Sequence, residues 1–347
     1  MRKNYFLPFL LLLVSLVNAQ IDQTSYRGAF APAPTPMWTD SWTNYDPKNE
    51  AYTDGTVVNI TTDITANTTW TTGKTYYISG LIYVRNNATL TIQPGVVVKG
   101  VYTNSGTALI VTKGSKLNAI GTASSPIVFT SAKTVAEGRQ PGDWGGIVLL
   151  GKAGFNINNG VNNIEGITAS VNTEYGGGTA PVNNDSSGTL KYVRIEFGGF
   201  VFSPNNEING LTMGAVGNGT TIDYVQVSYA NDDAFEWFGG SVNCKHLVAF
   251  RNLDDDFDTD NGYKGAVQYV LGIKDPLIAD NPSVSTSEGF ESDNNAAGTT
   301  VSSPYDNTSC IFSNVTMIGP AKRATLAPTA TVASGHERPL RLRRASQ

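Results

Sequence analysis

Short segments in which apolar and polar residues alternate recur along the second half of the chain. Three share one pattern and a fourth is a weaker copy: LKYVRIEF (190–197), IDYVQVSY (222–229), CKHLVAFR (244–251) and FSNVTMIG (312–319). A period of two is typical of β-strands that bury one face. Amphipathic helical patterns are scarce after residue 20, whereas Gly, Asn and Thr are abundant. The pattern therefore predicts an all-β protein that is rich in turns.

The second and third segments are separated by 22 residues, and this offset extends beyond the strands. It relates six pairs of matching residues: Ile222 and Cys244, Val225 and Leu247, Asp232 and Asp254, Asp233 and Asp255, Phe235 and Phe257, and Gly240 and Gly262. A strand-rich unit of this length describes one coil of a solenoid, which buries its inner face by stacking on its neighbours. The repeat predicts a right-handed parallel β-helix, with Ile222, Cys244 and Ala266 in one inward-facing column.

The repeats divide the chain into regions. The β-helix domain is predicted over residues 75–320, where Leu90 and Leu117 occupy matching positions, with long loop excursions at 152–189 and 274–287. Residues 20–74 are predicted to form a leader and an N-terminal cap, because the open end of a solenoid must be covered. Residues 321–347 are rich in Pro, Ala, Thr and Arg, so we expect a disordered or truncated tail.

The first 19 residues are typical of a secretory signal peptide. Arg2 and Lys3 precede an almost wholly apolar run at 5–17, and Ala19 ends a suitable cleavage sequence. We therefore predict a secreted or cell-surface protein whose mature chain begins at Gln20. The mature chain contains no apolar run long enough to predict a transmembrane segment.

Composition narrows the classes of function. The formal net charge of −5 argues against nucleic-acid binding, which needs a basic surface. Cys244 and Cys310 lie in strand-like sequence, which favours two buried thiols over a disulfide. With His246 and His336 as its only histidines, the chain offers no Cys/His cluster for zinc.

Three segments combine an aromatic residue with acidic ones at offsets that fit successive coils: AFEWFG (234–239), DFDTDN (256–261) and GFESDN (289–294). Stacking them predicts an internal column of rings from Phe235, Phe257 and Phe290. It also predicts an external ladder of Glu236, Asp258 and Glu291, with Asp260 and Asp293 as a second ladder.

Carboxylates on neighbouring strands lie about 4.8 Å apart and repel one another unless a positive charge lies between them. Ca²⁺ prefers such oxygen ligands, so Glu236, Asp258, Asp260, Glu291 and Asp293 are candidate Ca²⁺ ligands. Two other interpretations stay open. These residues could accept hydrogen bonds from turn backbone, or they could form a catalytic or ligand-binding site.

The motifs also resemble a known family. The run NEINGLTMGAVGNGTTIDYVQVSYANDDAFEWFGG, followed by KHLVAFRNLDDDFDTDNGYKG and GFESDN, resembles secreted bacterial proteins of the pectin-lyase-like β-helix class. Such proteins are typical of Bacteroidota and often carry a C-terminal type IX sorting domain. The resemblance covers about residues 75–320 and implies export and a right-handed β-helix. It implies little about activity, because this fold serves lyases, hydrolases, adhesins and passive stalks.

Three functions are consistent with these observations. The first is a non-enzymatic, adhesin-like module that binds extracellular polysaccharide or cell-surface components and is stabilised by Ca²⁺. The second is a Ca²⁺-dependent polysaccharide lyase or other glycan-active enzyme, in which Arg251 or Lys264 supplies the base. The third is a solenoid stalk without a ligand. Outside these roles, Arg194 and Arg251 are expected to pair with Glu196 and Asp254, and Trp144 to be a core or corner residue.

Overall fold

The computed structural model describes residues 21–203, 206–280, 286–295, 299–301, 307–320 and 340–343. Within them the chain forms two stacked parallel sheets. The larger sheet contains β1 (Thr56–Ile60), β2 (Thr68–Trp70), β3 (Lys74–Ile78), β5 (Thr89–Ile92), β6 (Val97–Gly100), β8 (Lys116–Ile120), β9 (Ile127–Ser131), β13 (Gly188–Glu196), β17 (Thr221–Ser228), β19 (Asn243–Phe250), β21 (Ala266–Ile273) and β23 (Ile311–Ile318). The smaller sheet contains β4 (Leu81–Val84), β7 (Ala108–Val111), β10 (Ile147–Leu150), β16 (Leu211–Gly214), β18 (Phe235–Phe238), β20 (Phe257–Asp260), β22 (Phe290–Ser292) and β24 (Leu340–Leu342).

After β4, one or two strands of the larger sheet are followed along the chain by one strand of the smaller sheet, and each strand pairs in parallel with the strand one coil away. This is the predicted right-handed parallel β-helix. In the described part of the chain, two short antiparallel pairs lie outside the two sheets, β11 (Asn162–Asn163) with β12 (Glu174–Tyr175), and β14 (Val201–Ser203) with β15 (Asn206–Glu207). Two 3₁₀ turns occur at Pro47–Asn49 and Asn158–Gly160. No helix of the described residues is long and apolar enough to cross a membrane.

The registers confirm most of the predicted columns. Ile222 pairs with Cys244, Phe235 with Phe257, and Leu90 with Leu117. The prediction for Ala266 was wrong by one residue, because Cys244 pairs with Val267. The turn from Gly262 to Val267 is one residue longer than the turn from Gly240 to Cys244. Its Gly265 lies so close to the preceding coil that a Cβ atom would be 2.0 Å from the Val242 carbonyl oxygen.

The core is a continuous column of apolar side chains between the sheets. It includes Trp70, Trp144, Trp237, Tyr263 and the buried rings of Phe235 and Phe257. Trp144 is fully buried and donates from Nε1 to the Glu196 carbonyl oxygen at 2.8 Å, as befits a core residue. Cys244 and Cys310 are free thiols, as the sequence predicts, but only Cys244 is buried and Cys310 is half-buried.

The sequence predicted a leader and an N-terminal cap over residues 20–74. In the structure, residues 21–54 of this segment lie along the outer face of the larger sheet. They reach the last coils, because Asp22 bonds to Gln268 and the Ala29 amide donates to Thr316 Oγ1. We call residues 21–54 the strap. The physical reason for its position is that the outer positions of the larger sheet carry apolar side chains. The fully buried Trp42 contacts the rings of Tyr192 and Tyr224 and belongs to one buried cluster with Phe197, Tyr229, Val248, Phe250 and Leu271. The first coil begins with β1 and β2.

A second apolar layer covers the smaller sheet. Phe155, Ile157, Ile164 and Tyr175 belong to the predicted excursion at 152–189, and they pack on the outer side chains of β7, β10 and β18. At the C-terminal end, the prediction of a disordered tail was wrong for residues 340–343, because Leu340–Leu342 form β24 and pair with β22. Residues 321–339 and 344–347 lie outside the described residues, so the prediction for them stays a prediction.

Candidate functional site: an acid-lined cavity

The site is built on the aromatic column predicted from the repeat. The Phe257 ring stacks on Phe235 with a centroid distance of 5.5 Å and on Phe290 at 5.2 Å. Successive residues of a strand point to opposite faces, so the residue after each Phe points outward. The registers place Glu236 beside Asp258, and Asp258 beside Glu291. The structure thus brings these three predicted carboxylates into one ladder.

The ladder forms the floor of a cavity of about 650 Å³. Ten of its fourteen described lining residues are carboxylates, so the cavity is strongly acidic: Glu165, Glu207, Asp232, Asp233, Glu236, Asp254, Asp255, Asp258, Asp280 and Glu291. The walls come from the excursion (Glu165), from β15 (Glu207), from the loop after β21 (Asp280) and from Arg343 beyond β24. As a result, Glu236 is only 6% exposed and Glu291 only 5%, although both point outward from the coil.

One rim of the cavity is a chain of hydrogen bonds from side chain to backbone. Asn209 Oδ1 accepts the Asp233 amide at 3.1 Å, and Asp233 Oδ1 accepts the Asp255 amide at 2.9 Å. Asp255 Oδ1 in turn accepts the Glu288 amide at 2.5 Å. These carboxylates therefore fix the turns of three successive coils, which is the structural role that the sequence left open for turn residues.

Among the described residues, three groups of carboxylates approach closely enough to share a cation. Their oxygens lie within 4.8 Å of one another in Asp233–Glu236–Asp258, Asp232–Asp233–Asp254 and Asp254–Asp255–Glu288. Ca²⁺ binds oxygens at 2.3–2.6 Å, so ligands on opposite sides of the ion are about 5 Å apart. Asp258 Oδ1 is buried and accepts no hydrogen bond from any described residue. The first group thus combines a suitable spacing with an oxygen that lacks a hydrogen-bond donor.

The burial of several carboxylates in one cavity disfavours their charged forms and raises their pKa values. Burial, followed by the charge of Glu165 and then of Asp258, raises the pKa of Glu236 well above its usual value. Burial and the charges of Asp260 and Asp293 likewise raise the pKa of Asp258, whereas Arg343 lowers it. Protons or cations that neutralise part of this charge would therefore stabilise the cluster.

A family model described as a pectate-lyase-like β-helix domain matches residues 62–338. The chain belongs to this family. The match covers most of the solenoid, including the ladder and every strand from β3 to β23. Comparisons with curated proteins and with solved structures give no match. The family defines the pectate-lyase-like fold, whereas activity has to be argued from the site.

The five candidate Ca²⁺ ligands fall into different environments of this pectate-lyase-like helix. Glu236 and Asp258 belong to the Asp233–Glu236–Asp258 group. Asp260 lies outside all three groups and accepts the Asn261 amide at 2.6 Å. Glu291 and Asp293 form ion pairs with the chain itself, since Arg341 Nη1 is 2.9 Å from Glu291 Oε2 and Arg343 Nε is 2.7 Å from Asp293 Oδ1.

The basic residues singled out from the sequence lie elsewhere. Arg251 approaches the Tyr229 hydroxyl at 3.1 Å and Asp275 at 3.4 Å, rather than Asp254. Arg194 contacts its expected partner Glu196 at 3.7 Å. Neither Arg251 nor Lys264 is among the described residues that line the acid cavity, where Arg343 is the one basic residue.

Several carboxylates of the site were missed at the sequence level. Glu165, Glu207 and Asp280 lie in segments outside the repeat, so no periodicity points to them. Glu288 had a usable signal, because the 33-residue offset that relates Phe257 to Phe290 also relates Asp255 to Glu288.

Proposed function

We propose that this protein is an exported, non-enzymatic binding module in which the acid cavity holds Ca²⁺. The observation that carries the proposal is the Asp233–Glu236–Asp258 group, whose oxygens lie within 4.8 Å of one another around a buried Asp258 Oδ1 without a hydrogen-bond donor. The ligands are all carboxylate oxygens, which suit a hard cation. Their positions on separate coils and loops suit the larger and less strictly ordered coordination shell of Ca²⁺ better than the octahedron of Mg²⁺.

Turn stabilisation alone does not account for the cavity. The rim carboxylates Asp233 and Asp255 each accept an amide, but Asp258 Oδ1 does not. A buried carboxylate oxygen that has no donor costs on the order of 1–3 kcal/mol or more. A bound Ca²⁺ offsets this cost and the repulsion from Glu236 at the same time.

Binding is favoured over lyase chemistry by the placement of the bases. A lyase needs a basic side chain next to the bound cation to remove a proton from the sugar. The only basic residue among those described at the cavity is Arg343, and it is engaged by Glu291 and Asp293. We infer that Ca²⁺ in this cavity presents its open coordination positions to an anionic ligand, such as the carboxylates of an extracellular polysaccharide.

The test is Ca²⁺ titration of the mature chain by calorimetry, with thermal denaturation in millimolar Ca²⁺ and in EDTA. A cation that binds only the folded state adds about 2.7 kcal/mol at a hundredfold excess over its Kd. Asp258→Asn should weaken the binding and reduce the rise in Tm. Asp40→Asn, at an exposed carboxylate of the strap, is the matched control and should change neither. The proposal fails if calorimetry detects no binding and EDTA leaves Tm unchanged.

The ligand class is tested with a glycan array read with and without EDTA. Binding to acidic polysaccharides that EDTA abolishes supports the proposal. An assay for unsaturated products on the same polysaccharides tests the lyase alternative, and product formation would replace the non-enzymatic function. If the protein binds glycans on the array equally well in EDTA, then glycan binding does not depend on Ca²⁺ in the acid cavity.

A further inference from the structure

The last step of the carboxylate ladder is occupied by basic side chains of the chain itself. The β22–β24 register places Arg341 directly beside Glu291. Arg343 contacts the Glu291 carboxylate and donates from Nε to Asp293 Oδ1 at 2.7 Å. Two arginines thus neutralise the two ladder carboxylates nearest the C-terminal end, where the sequence suggested a cation.

These contacts hold a short strand at the edge of the smaller sheet. β24 has three residues, and its Leu340 and Leu342 side chains are 52% and 55% exposed. Apolar burial therefore contributes little to its position. Two kinds of contact hold β24 in place. One is the backbone pairing with β22, in which the Arg343 amide donates to the Ser292 carbonyl oxygen at 2.8 Å. The other is the set of ion pairs to Glu291 and Asp293.

Arg343 also lines the cavity to which the cation is assigned. It lines the cavity together with Glu236 and Asp258. A guanidinium group in this position repels a divalent cation and removes Glu291 and Asp293 from the set of ligands. The same carboxylates thus have two alternative partners, one within the chain and one from solution.

We propose that β24 regulates the acid cavity, with Arg341 and Arg343 acting as internal counter-ions that compete with a metal cation for Glu291 and Asp293. This inference rests on the proposed function, because it concerns the same cavity. In the arginine-paired state, the cation is confined to the Asp233–Glu236–Asp258 end. When β24 moves away, Glu291 and Asp293 become available as further ligands.

The experiment compares Ca²⁺ binding to the full mature chain and to variants of β24 by calorimetry. Arg341→Gln with Arg343→Gln should bind Ca²⁺ at least about tenfold more tightly than the unmodified chain, or bind one more ion per chain. Arg343→Gln alone should tighten binding at least about threefold. Arg343→Lys, which keeps the charge, should change it less than Arg343→Gln does. Arg85→Gln is the matched control, because it removes the same charge from an ion pair with Asp63 at the other end of the solenoid.

The outcomes separate the two proposals. If the unmodified chain binds Ca²⁺ and both glutamine variants bind it with the same stoichiometry and within about twofold of the same Kd, the competition is refuted and the cavity remains a cation site. If none of the proteins binds Ca²⁺, the cavity is not a cation site and both proposals fall. If the double variant does not fold, the single Arg343→Gln variant decides. An equal gain in Arg85→Gln would show a general effect of net charge and would also overturn the inference.

Discussion

Removing the middle ring of the aromatic column tests how strongly the coils depend on one another. Phe257 is fully buried, and its ring is nearly parallel to that of Phe235, with an angle of 7° between the planes. Replacing a buried Phe by Ala costs about 3–5 kcal/mol through lost transfer free energy and the cavity that remains. The ring contacts two neighbouring rings in stacked geometry, Phe235 and Phe290, and a third, Phe312, in tilted geometry. Because these contacts are lost together with the buried area, we expect Phe257→Ala to lower the free energy of unfolding by an amount near the upper end of this range.

The assay is urea denaturation followed by tryptophan fluorescence and far-ultraviolet circular dichroism. Because a solenoid is stabilised by contacts between neighbouring coils, the loss should appear as a lower midpoint or as a separate early transition of the coils around β20. Tyr102→Ala removes a ring that is 52% exposed and is the matched control, with an expected change of less than about 1 kcal/mol. Equal effects of the two substitutions would refute the assignment of Phe257 to a packed internal column.

Three further predictions concern the strap, the buried acids and export. Trp42→Ala should destabilise the protein by about 3–5 kcal/mol in the same denaturation assay, because Trp42 is fully buried against the larger sheet; an effect below about 1 kcal/mol would show that the strap does not depend on this ring. In EDTA, Tm should fall as pH rises from about 4 to about 7, because burial raises the pKa of Asp256 to about 6 and that of Asp258 well above its usual value, so the folded state retains protons that the unfolded state releases. Ca²⁺ should reduce this slope, and a Tm that rises over this range in EDTA would contradict the reasoning. Mass spectrometry of protein from outside the cytoplasm should find Gln20 at the N-terminus, and an intact Met1 would contradict the predicted signal peptide.

The solenoid could be predicted because every coil repeats one physical environment. A residue that packs inward in one coil is paired with the equivalent residue of the next coil, so Phe235 and Phe257 could be aligned from the sequence alone. The error at Ala266 shows the limit of this argument. A single extra residue in the turn before β21 shifts every later position, and a turn tolerates that insertion because it lies outside the sheets.

The strap and the cavity walls could not be predicted in the same way. Trp42 and Glu165 belong to segments without a repeat, and their places depend on which outer faces of the sheets need to be covered. The sequence shows that such segments exist, but the covered face is decided by packing between distant residues, such as Tyr175 on Phe238 or Trp42 on Tyr224. A repeat determines the coils, whereas the excursions determine how deeply the outer side chains are buried.

This difference in burial changes the chemistry of the ladder. On an open solenoid surface, Glu236 and Asp258 would be hydrated and screened by salt, and their repulsion would cost little. Under the walls they lose water, so their repulsion grows and the charged forms require a partner. Glu291 and Asp293 form ion pairs with Arg341 and Arg343. No arginine pairs with Glu236 or Asp258 among the described contacts. The walls therefore supply the electrostatic reason for the cation that we propose at the Asp258 end of the ladder. Because Glu165 contributes to those walls, shortening the excursion should weaken Ca²⁺ binding even though the ladder itself stays intact.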